Sequence, residues 1–225
     1  MNADFFDRIP SSVKVVATMS VGYDHIDLAA ARKKKIPVAN TPGVLTDAVA
    51  DATVLLLLAA SRRAYEAQQF LRSGEWGKKT ALNLMGRQVT GKTLGIYGMG
   101  HIGQEVADGA RALGMKIHYS DRSELPADLA KGAVFHVDPK DLLGVSSFLT
   151  LHAPATPETH HFLEAETIAL LPEGAIVINT ARGELIRDED LIAALKSGRV
   201  AAAGLDAFEH EPNVNHDYLS LANAF

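Results

Sequence analysis

Three glycines and one acid carry the first chemical signal in this chain. Gly98, Gly100 and Gly103 follow the apolar run Thr93-Leu94-Gly95-Ile96-Tyr97 in the spacing Gly-x-Gly-x-x-Gly, and a helix-forming segment, Gln104 to Leu113, comes next. Gly98 permits a tight turn, Gly100 lets backbone approach a pyrophosphate, and Gly103 lets the helix pack closely on the strand. The start of that helix offers unpaired N–H donors and the positive end of its dipole to phosphate oxygens. Met115 to Tyr119 then reads as a second strand, and Asp121 lies just beyond it to accept hydrogen bonds from ribose hydroxyls. Strand, turn, helix, strand and acid in this order predict a nicotinamide dinucleotide site.

A second set of residues stands where two later strands end. Ala175 to Asn179 leads into Thr180-Ala181-Arg182-Gly183, and Ala201 to Leu205 leads into Asp206-Ala207-Phe208-Glu209-His210-Glu211-Pro212. A guanidinium at such a strand end can grip a carboxylate in a bidentate fork and polarise a neighbouring carbonyl. Position alone leaves another possibility open, in which Arg182 is a surface residue paired with Glu184 or Asp188 and Glu211 is a solvated loop acid.

These elements fit a wider pattern. Beyond Gly91, strands are expected at 93–97, 115–119, 147–152, 175–179 and 200–205, with a short one near 133–136. Helices are expected at 102–113, around 140–144, at 164–170 and at 188–197, the last capped by Asp188 and closed by Gly198. Alternating strands and helices predict an α/β fold with a doubly wound, Rossmann-like parallel sheet that presents ligands at its strands' carboxyl ends. Before it, Lys14 to Met19 and Ile36 to Asn40 read as strands, and Leu28 to Lys35 reads as a helix. The basic run Arg32 to Lys35 is explained as cations in a last helical turn. A long helix starts at Asp47, with Ala48 to Arg63 apolar enough to lie between packed units. Residues 74–84 are expected to be irregular, with Trp76 as a packing or interface anchor.

Composition narrows the function classes. A net charge of −5 gives no reason to expect nucleic acid or an anionic membrane as partner. Zero cysteines exclude disulfides and thiolate metal sites. Asp4, Asp7 and Arg8 interrupt the first ten residues where a signal peptide needs an apolar core, so a cytoplasmic location is expected. His160 and His161 are adjacent, which would point them apart, and no metal site is expected.

Four motifs resemble those of the D-2-hydroxyacid dehydrogenases. Asn179 to Ile186 resembles the family's arginine motif and Asp206 to Pro212 its acid motif. Ser20-Val21-Gly22-Tyr23-Asp24-His25-Ile26-Asp27 is similar to the loop that binds the substrate carboxylate, and Leu151 to Thr159 to the loop beside the cofactor. The motifs match in order and spacing over essentially the whole chain. Thr18 to Gly22 and Thr41 to Asp47 are most similar to the glyoxylate/hydroxypyruvate reductase branch.

The resemblance implies an oxidoreductase moving a hydride between a nicotinamide and a small 2-keto or 2-hydroxy acid. It implies that the N–H groups of Val21 and Gly22 hold the substrate carboxylate, and that Arg182 clamps that carboxylate and the keto oxygen. Glu211 would hold a catalytic histidine in its protonated form. His101 and Ile102 would border the pyrophosphate with Thr46 nearby, while Ala153, Thr180, Ala181 and Asp206 would line the nicotinamide side. Residues 1–46 would be the remnant of a flavodoxin-like substrate domain, residues 47–225 an NAD-binding domain, and the protein a homodimer with its interface in residues 47–84. Asp121 favours NAD by repelling a 2′-phosphate, although Arg122 beside it could meet one.

The sequence also departs from the family. Its acid–base histidine follows the acid motif in a Leu-Pro-His-x-Gly context, and the chain stops at Phe225 before any such segment. None of the nine histidines matches that motif, and His210 and His216, closest in sequence to the acid loop, are expected at the surface. The expectation is a chain truncated at both ends and impaired in catalysis. A dinucleotide-binding regulator of the co-repressor type is the rival from another class. Formate dehydrogenase is the rival among enzymes, suggested by His25 and opposed by Glu211.

Overall fold

The computed structural model describes residues 1–77 and 84–225. The expected irregular segment 74–84 therefore lies partly outside the described residues. Among those described, no helix is long and apolar enough to cross a membrane. Contacts divide the chain into two compact units, Met1–Asp47 and Ala48–Phe225.

The first unit contains α1 (Ala3–Arg8), β1 (Val16–Ala17), α2 (Leu28–Lys33) and β2 (Val38–Ala39), with β1 and β2 paired in parallel. Both helices begin at side-chain caps. Asn2 accepts from the Phe5 N–H and Asp27 from the Ala30 N–H, satisfying donors that a helix start leaves unpaired. Arg32 and Lys33 fall in the last turn of α2 as expected, and Lys34 reaches Asp7 at 3.0 Å. Phe6, Val16, Ile26 and Ala31 form a small core. The two expected strands contract to two residues each, and α1 was not expected. Six residues with one buried side chain, Phe6, carry too little periodicity to announce a helix.

In the second unit, six parallel strands form one sheet. They are β3 (Thr93–Tyr97), β4 (Lys116–Ser120), β5 (Val134–Phe135), β6 (Phe148–Leu151), β7 (Ala175–Asn179) and β8 (Val200–Leu205), in the order β5-β4-β3-β6-β7-β8. The order reverses direction between β3 and β6, which is where such sheets open a crevice at their carboxyl ends. Both sheet faces are covered. On β7, Ile176 and Ile178 face one core with Leu57, Leu94, Ile96 and Val106, while Val177 faces the other with Leu149, Leu191 and Leu195. An uninterrupted apolar strand is what burial on two sides requires.

Helices α5 (His101–Ala112), α7 (Pro139–Val145), α8 (Ala165–Ile168) and α9 (Asp188–Ser197) match the expected segments. Helices α3 (Thr46–Ser61), α4 (Ala64–Arg72) and α6 (Ala127–Ala130) complete the described set, and α4 and α6 were not expected. Gly198 closes α9 with φ +80°, a left-handed turn that glycine adopts without steric cost. Asp188, in contrast, is not the cap. Arg187 occupies that position, and Asp188 is the buried first residue of α9, where its carboxylate accepts from the Tyr218 hydroxyl at 2.8 Å. Trp76 is 62% exposed, with its ring edge-on to Phe70.

Candidate active site

The glycine turn leads from β3 into α5 and packs against the loop that follows the adjacent strand β6. Gly98 has φ +97°, and a Cβ there would sit 2.7 Å from the Ala153 N, so the two loops leave no room for a side chain. A Cβ on Gly103 would lie 2.3 Å from the Gly98 carbonyl oxygen, which is the close helix–strand approach that the spacing implied. At Gly100 the outcome is opposite. A Cβ would meet nothing within 4 Å, so this exposed glycine borders open space rather than protein. Gly100 is also the N-cap of α5 and brings no capping side chain. The first-turn N–H groups that follow it, from His101 onward, have no intrahelical acceptors and begin beside that space. Open room for backbone approach beside unpaired donors fits a dinucleotide pyrophosphate.

Asp121, half-buried just past β4, is tied to this turn. One carboxylate oxygen accepts from the Met99 N–H and the other from the Arg122 N–H, both at 2.7 Å. An ionised carboxylate has about four acceptor positions, so capacity for ribose hydroxyls remains. Tyr97, ending β3, has its phenol pushed up by burial and then by the charge of Asp121, and its ring stacks on Phe162 at 3.7 Å.

The arginine loop is shaped by a residue that sequence reasoning passed over. Asn179 is fully buried at the end of β7; its amide donates to the Arg182 carbonyl at 2.8 Å, and its carbonyl accepts from the Ala181 N–H at 3.0 Å. One side chain thus closes the turn that presents Thr180, Ala181 and Arg182. A polar side chain ending an all-apolar strand was the available signal, because a buried amide must find partners. Thr53 on α3 donates to the Val49 carbonyl, so in its 2.8 Å contact with Thr180 the Thr180 hydroxyl is the donor. The Thr180 oxygen keeps only acceptor capacity for a ligand. Arg182 is half-buried, and one guanidinium N–H bonds the Ala181 carbonyl at 2.6 Å.

The acid loop packs against the arginine loop. A Cβ on Gly183 would fall 1.9 Å from the Phe208 carbonyl oxygen, and the Asp206 N–H donates to the Asn179 carbonyl at 2.8 Å. Glu211 is exposed and accepts from the Phe208 N–H at 2.9 Å; no hydrogen bond joins it to a histidine among the described residues. Glu209 is the buried acid of this loop. It accepts from His161 Nε2 and, at 3.3 Å, from the Asp188 N–H. Burial pushes its carboxyl up, but these donors and the nearby imidazoles of His161 and His210 outweigh that and hold it below the usual carboxylate range.

The expectation that His160 and His161 diverge is overturned. Their ring centroids are 3.8 Å apart, because His161 adopts a left-handed backbone with φ +51°. Alternation to opposite sides holds for extended chain, not across a left-handed residue. His152, in the loop beside Gly98, has its imidazole held down at about 4 by burial, with Nε2 2.9 Å from the Thr150 hydroxyl. It stays neutral at physiological pH.

In the first unit, the carboxylate-loop candidates are arranged by their carbonyls. Asn40 donates to the Val21 carbonyl at 2.8 Å and Ser20 to the Gly22 carbonyl at 2.7 Å. Among the described residues, the N–H groups of Val21 and Gly22 have no acceptor in the chain, which suits them to an anionic ligand. Thr46 opens α3.

The profile described as "D-isomer specific 2-hydroxyacid dehydrogenase, NAD binding domain" matches residues 54–225. A glycerate dehydrogenase from Hyphomicrobium methylovorum is 45% identical over 224 residues, which cover 99% of this chain and 70% of that protein. A glyoxylate reductase from Thermococcus litoralis is 46% identical over 215 residues, covering 94% of this chain and 65% of that protein. The crystal structure of a glyoxylate reductase from Paecilomyes thermophila superposes with a TM-score of 0.91 at 40% identity, over 99% of this chain and 67% of that one. With the glycine turn, Asp121 and the Arg182 loop arranged as they are, the chain belongs to the D-isomer-specific 2-hydroxyacid dehydrogenases, nicotinamide-dependent oxidoreductases of small hydroxy and keto acids.

Proposed function

We propose that this protein reduces a small 2-keto acid, glyoxylate or hydroxypyruvate, with NADH as the favoured hydride donor. The observation that carries the reading is the open space at Gly100, beside the unpaired N–H groups of α5 and the half-buried Asp121. A bound nicotinamide supplies the hydride. Gly98, Gly100, His101, Ile102 and Gly103 hold the pyrophosphate, and Asp121 accepts from the ribose and repels a 2′-phosphate. Thr46 borders the phosphates, while Ala153, Thr180, Ala181 and Asp206 line the nicotinamide side.

For the keto acid, the N–H groups of Val21 and Gly22 bind the carboxylate. Arg182 grips that carboxylate and stabilises negative charge on the keto oxygen as it forms. Glu211 would favour the protonated form of an acid–base imidazole placed beside it as the proton donor. Residues 1–46 serve substrate binding, and residues 47–225 bind the cofactor. We assign the protein to the cytoplasm. We also assign it a homodimeric state, supported by exposed Leu55, Leu71 and Trp76 along and just after α3 and α4.

The test is NADH binding followed by fluorescence, together with NADH oxidation when glyoxylate or hydroxypyruvate is added. Binding with turnover of either acid, and loss of turnover but not of binding in Arg182→Gln, is the expected result. Absence of dinucleotide binding would overturn the reading. Tight binding with no turnover of any 2-keto acid would favour a dinucleotide-sensing regulator instead.

A further inference from the structure

The side-chain cluster of His160, His161 and Glu209 is used by none of the roles assigned above. One donor atom from each lies within 4.8 Å of the other two. A tetrahedral zinc with bonds of about 2.1 Å holds its ligands about 3.4 Å apart, so shifts of roughly 1 Å bring these donors to bonding distance. The exposed ring of His160 is free to supply most of that movement, whereas Glu209 is held in place.

Two independent features set this cluster apart from a chance grouping. Glu209 is a buried carboxylate with one oxygen already aimed at the His161 ring. In addition, His161 and His210 both adopt left-handed backbone, with φ of 51° and 61°. That conformation is sterically disfavoured for a non-glycine residue and persists where surrounding structure demands it. Here it turns the His161 ring alongside that of His160.

We propose that His160, His161 and Glu209 form a binding site for a divalent cation of the zinc type, joining the loop that follows β6 to the loop that follows β8. Two imidazole nitrogens and one carboxylate oxygen are a donor set suited to zinc, with the fourth position left to water. Arg187 Nε donates to His161 Nδ1 at 3.3 Å, so in the metal-free chain the His161 proton sits on Nε2 and faces Glu209. The cation takes the place of that proton, which transfers to Nδ1. Arg187 then keeps Glu164, at 3.2 Å, as its partner. Glu209 is two residues from Glu211, so the cation would brace the loop that carries the acid of the reaction.

The experiment is calorimetric titration of the tag-free protein with zinc chloride alone, with the cobalt(II) absorption spectrum as a second readout. One zinc per chain is expected, with a tetrahedral cobalt spectrum. His160→Ala, at an exposed position that leaves folding intact, should weaken binding at least about tenfold. Glu209→Gln should weaken it as well. His136→Ala, which breaks the separate His118–His136 pair (2.9 Å), should leave it unchanged. No zinc binding, undiminished binding in His160→Ala, or loss on His136→Ala would each overturn the site. None of these readouts depends on the dinucleotide or on turnover.

Discussion

The carboxylate of Asp121 accepts a hydrogen bond from the Met99 N–H at 2.7 Å, so the acid just past β4 also fixes the glycine turn that follows β3. The residue proposed to recognise the ribose is therefore part of the framework of the turn proposed to hold the phosphates. Removing it should affect both. In Asp121→Ala the NADH dissociation constant should rise by about tenfold or more, as expected for lost hydrogen bonds to a charged group worth about 1.5–3 kcal/mol. The ratio of NADPH to NADH affinity should rise at the same time. Competition titration by fluorescence reads both, and an unchanged NADH affinity would exclude the ribose role.

Gly100 and Gly103 should separate binding from folding. A methyl group at Gly103 would press on the Gly98 carbonyl oxygen, so Gly103→Ala should destabilise the protein by about 1–3 kcal/mol, seen as a lower urea midpoint. Gly100→Ala meets no protein atom and should lower that midpoint less, by no more than the roughly 1 kcal/mol that alanine costs at a helix N-cap. Its methyl group would instead stand where the pyrophosphate approaches, and NADH binding should weaken strongly. Unchanged NADH binding in Gly100→Ala, or a larger loss of stability there than in Gly103→Ala, would contradict this division.

Burial of His152 makes stability depend on pH. Its imidazole is depressed from 6.5 to about 4 in the folded chain, so the unfolded chain binds the proton more readily. The associated stability is complete above about pH 6.5 and is lost as pH falls toward 4, up to about 3 kcal/mol in all. His118, also held down by burial and by the charges of His136 and Lys116, changes stability in the same direction. Urea unfolding between pH 7 and pH 4 should therefore show a shallower fall in His152→Gln than in the parent protein. Parallel profiles would show that His152 is not desolvated.

The Tyr218 hydroxyl donates to Asp188 at the start of α9, and burial pushes the Asp188 carboxyl up while this donor opposes the shift. Tyr218→Phe removes the donor and leaves a buried carboxylate without its partner. A loss of about 1–3 kcal/mol is expected in urea unfolding. A loss below a few tenths would show that water replaces the hydroxyl.

Much of the second unit was legible from local pattern. An apolar strand followed by glycines at fixed spacing, a helix and an acid leaves few foldings open, because each glycine answers a steric demand within a few residues of itself. The uninterrupted strands, the start of α5 and the Gly198 terminus follow from burial on two faces and from backbone preferences, which are also local. The placement of polar side chains was not legible in this way. Asn179 closing the Arg182 turn, Asp188 turning from a cap to a partner of Tyr218, and Glu209 meeting His161 across 48 residues all depend on which loops the sheet order brings together. A buried polar group must find a partner, but residue type alone does not say where in the chain that partner lies. The strand order β5-β4-β3-β6-β7-β8 supplies that information, and it also sets Gly98 against Ala153 and Gly183 against Phe208. The sequence by itself determined the sheet class, the dinucleotide turn and the family, since these rest on short-range spacing. Only the tertiary structure decided which acid is buried, which histidines meet and which glycine borders open space, since these rest on contacts between segments far apart in the chain.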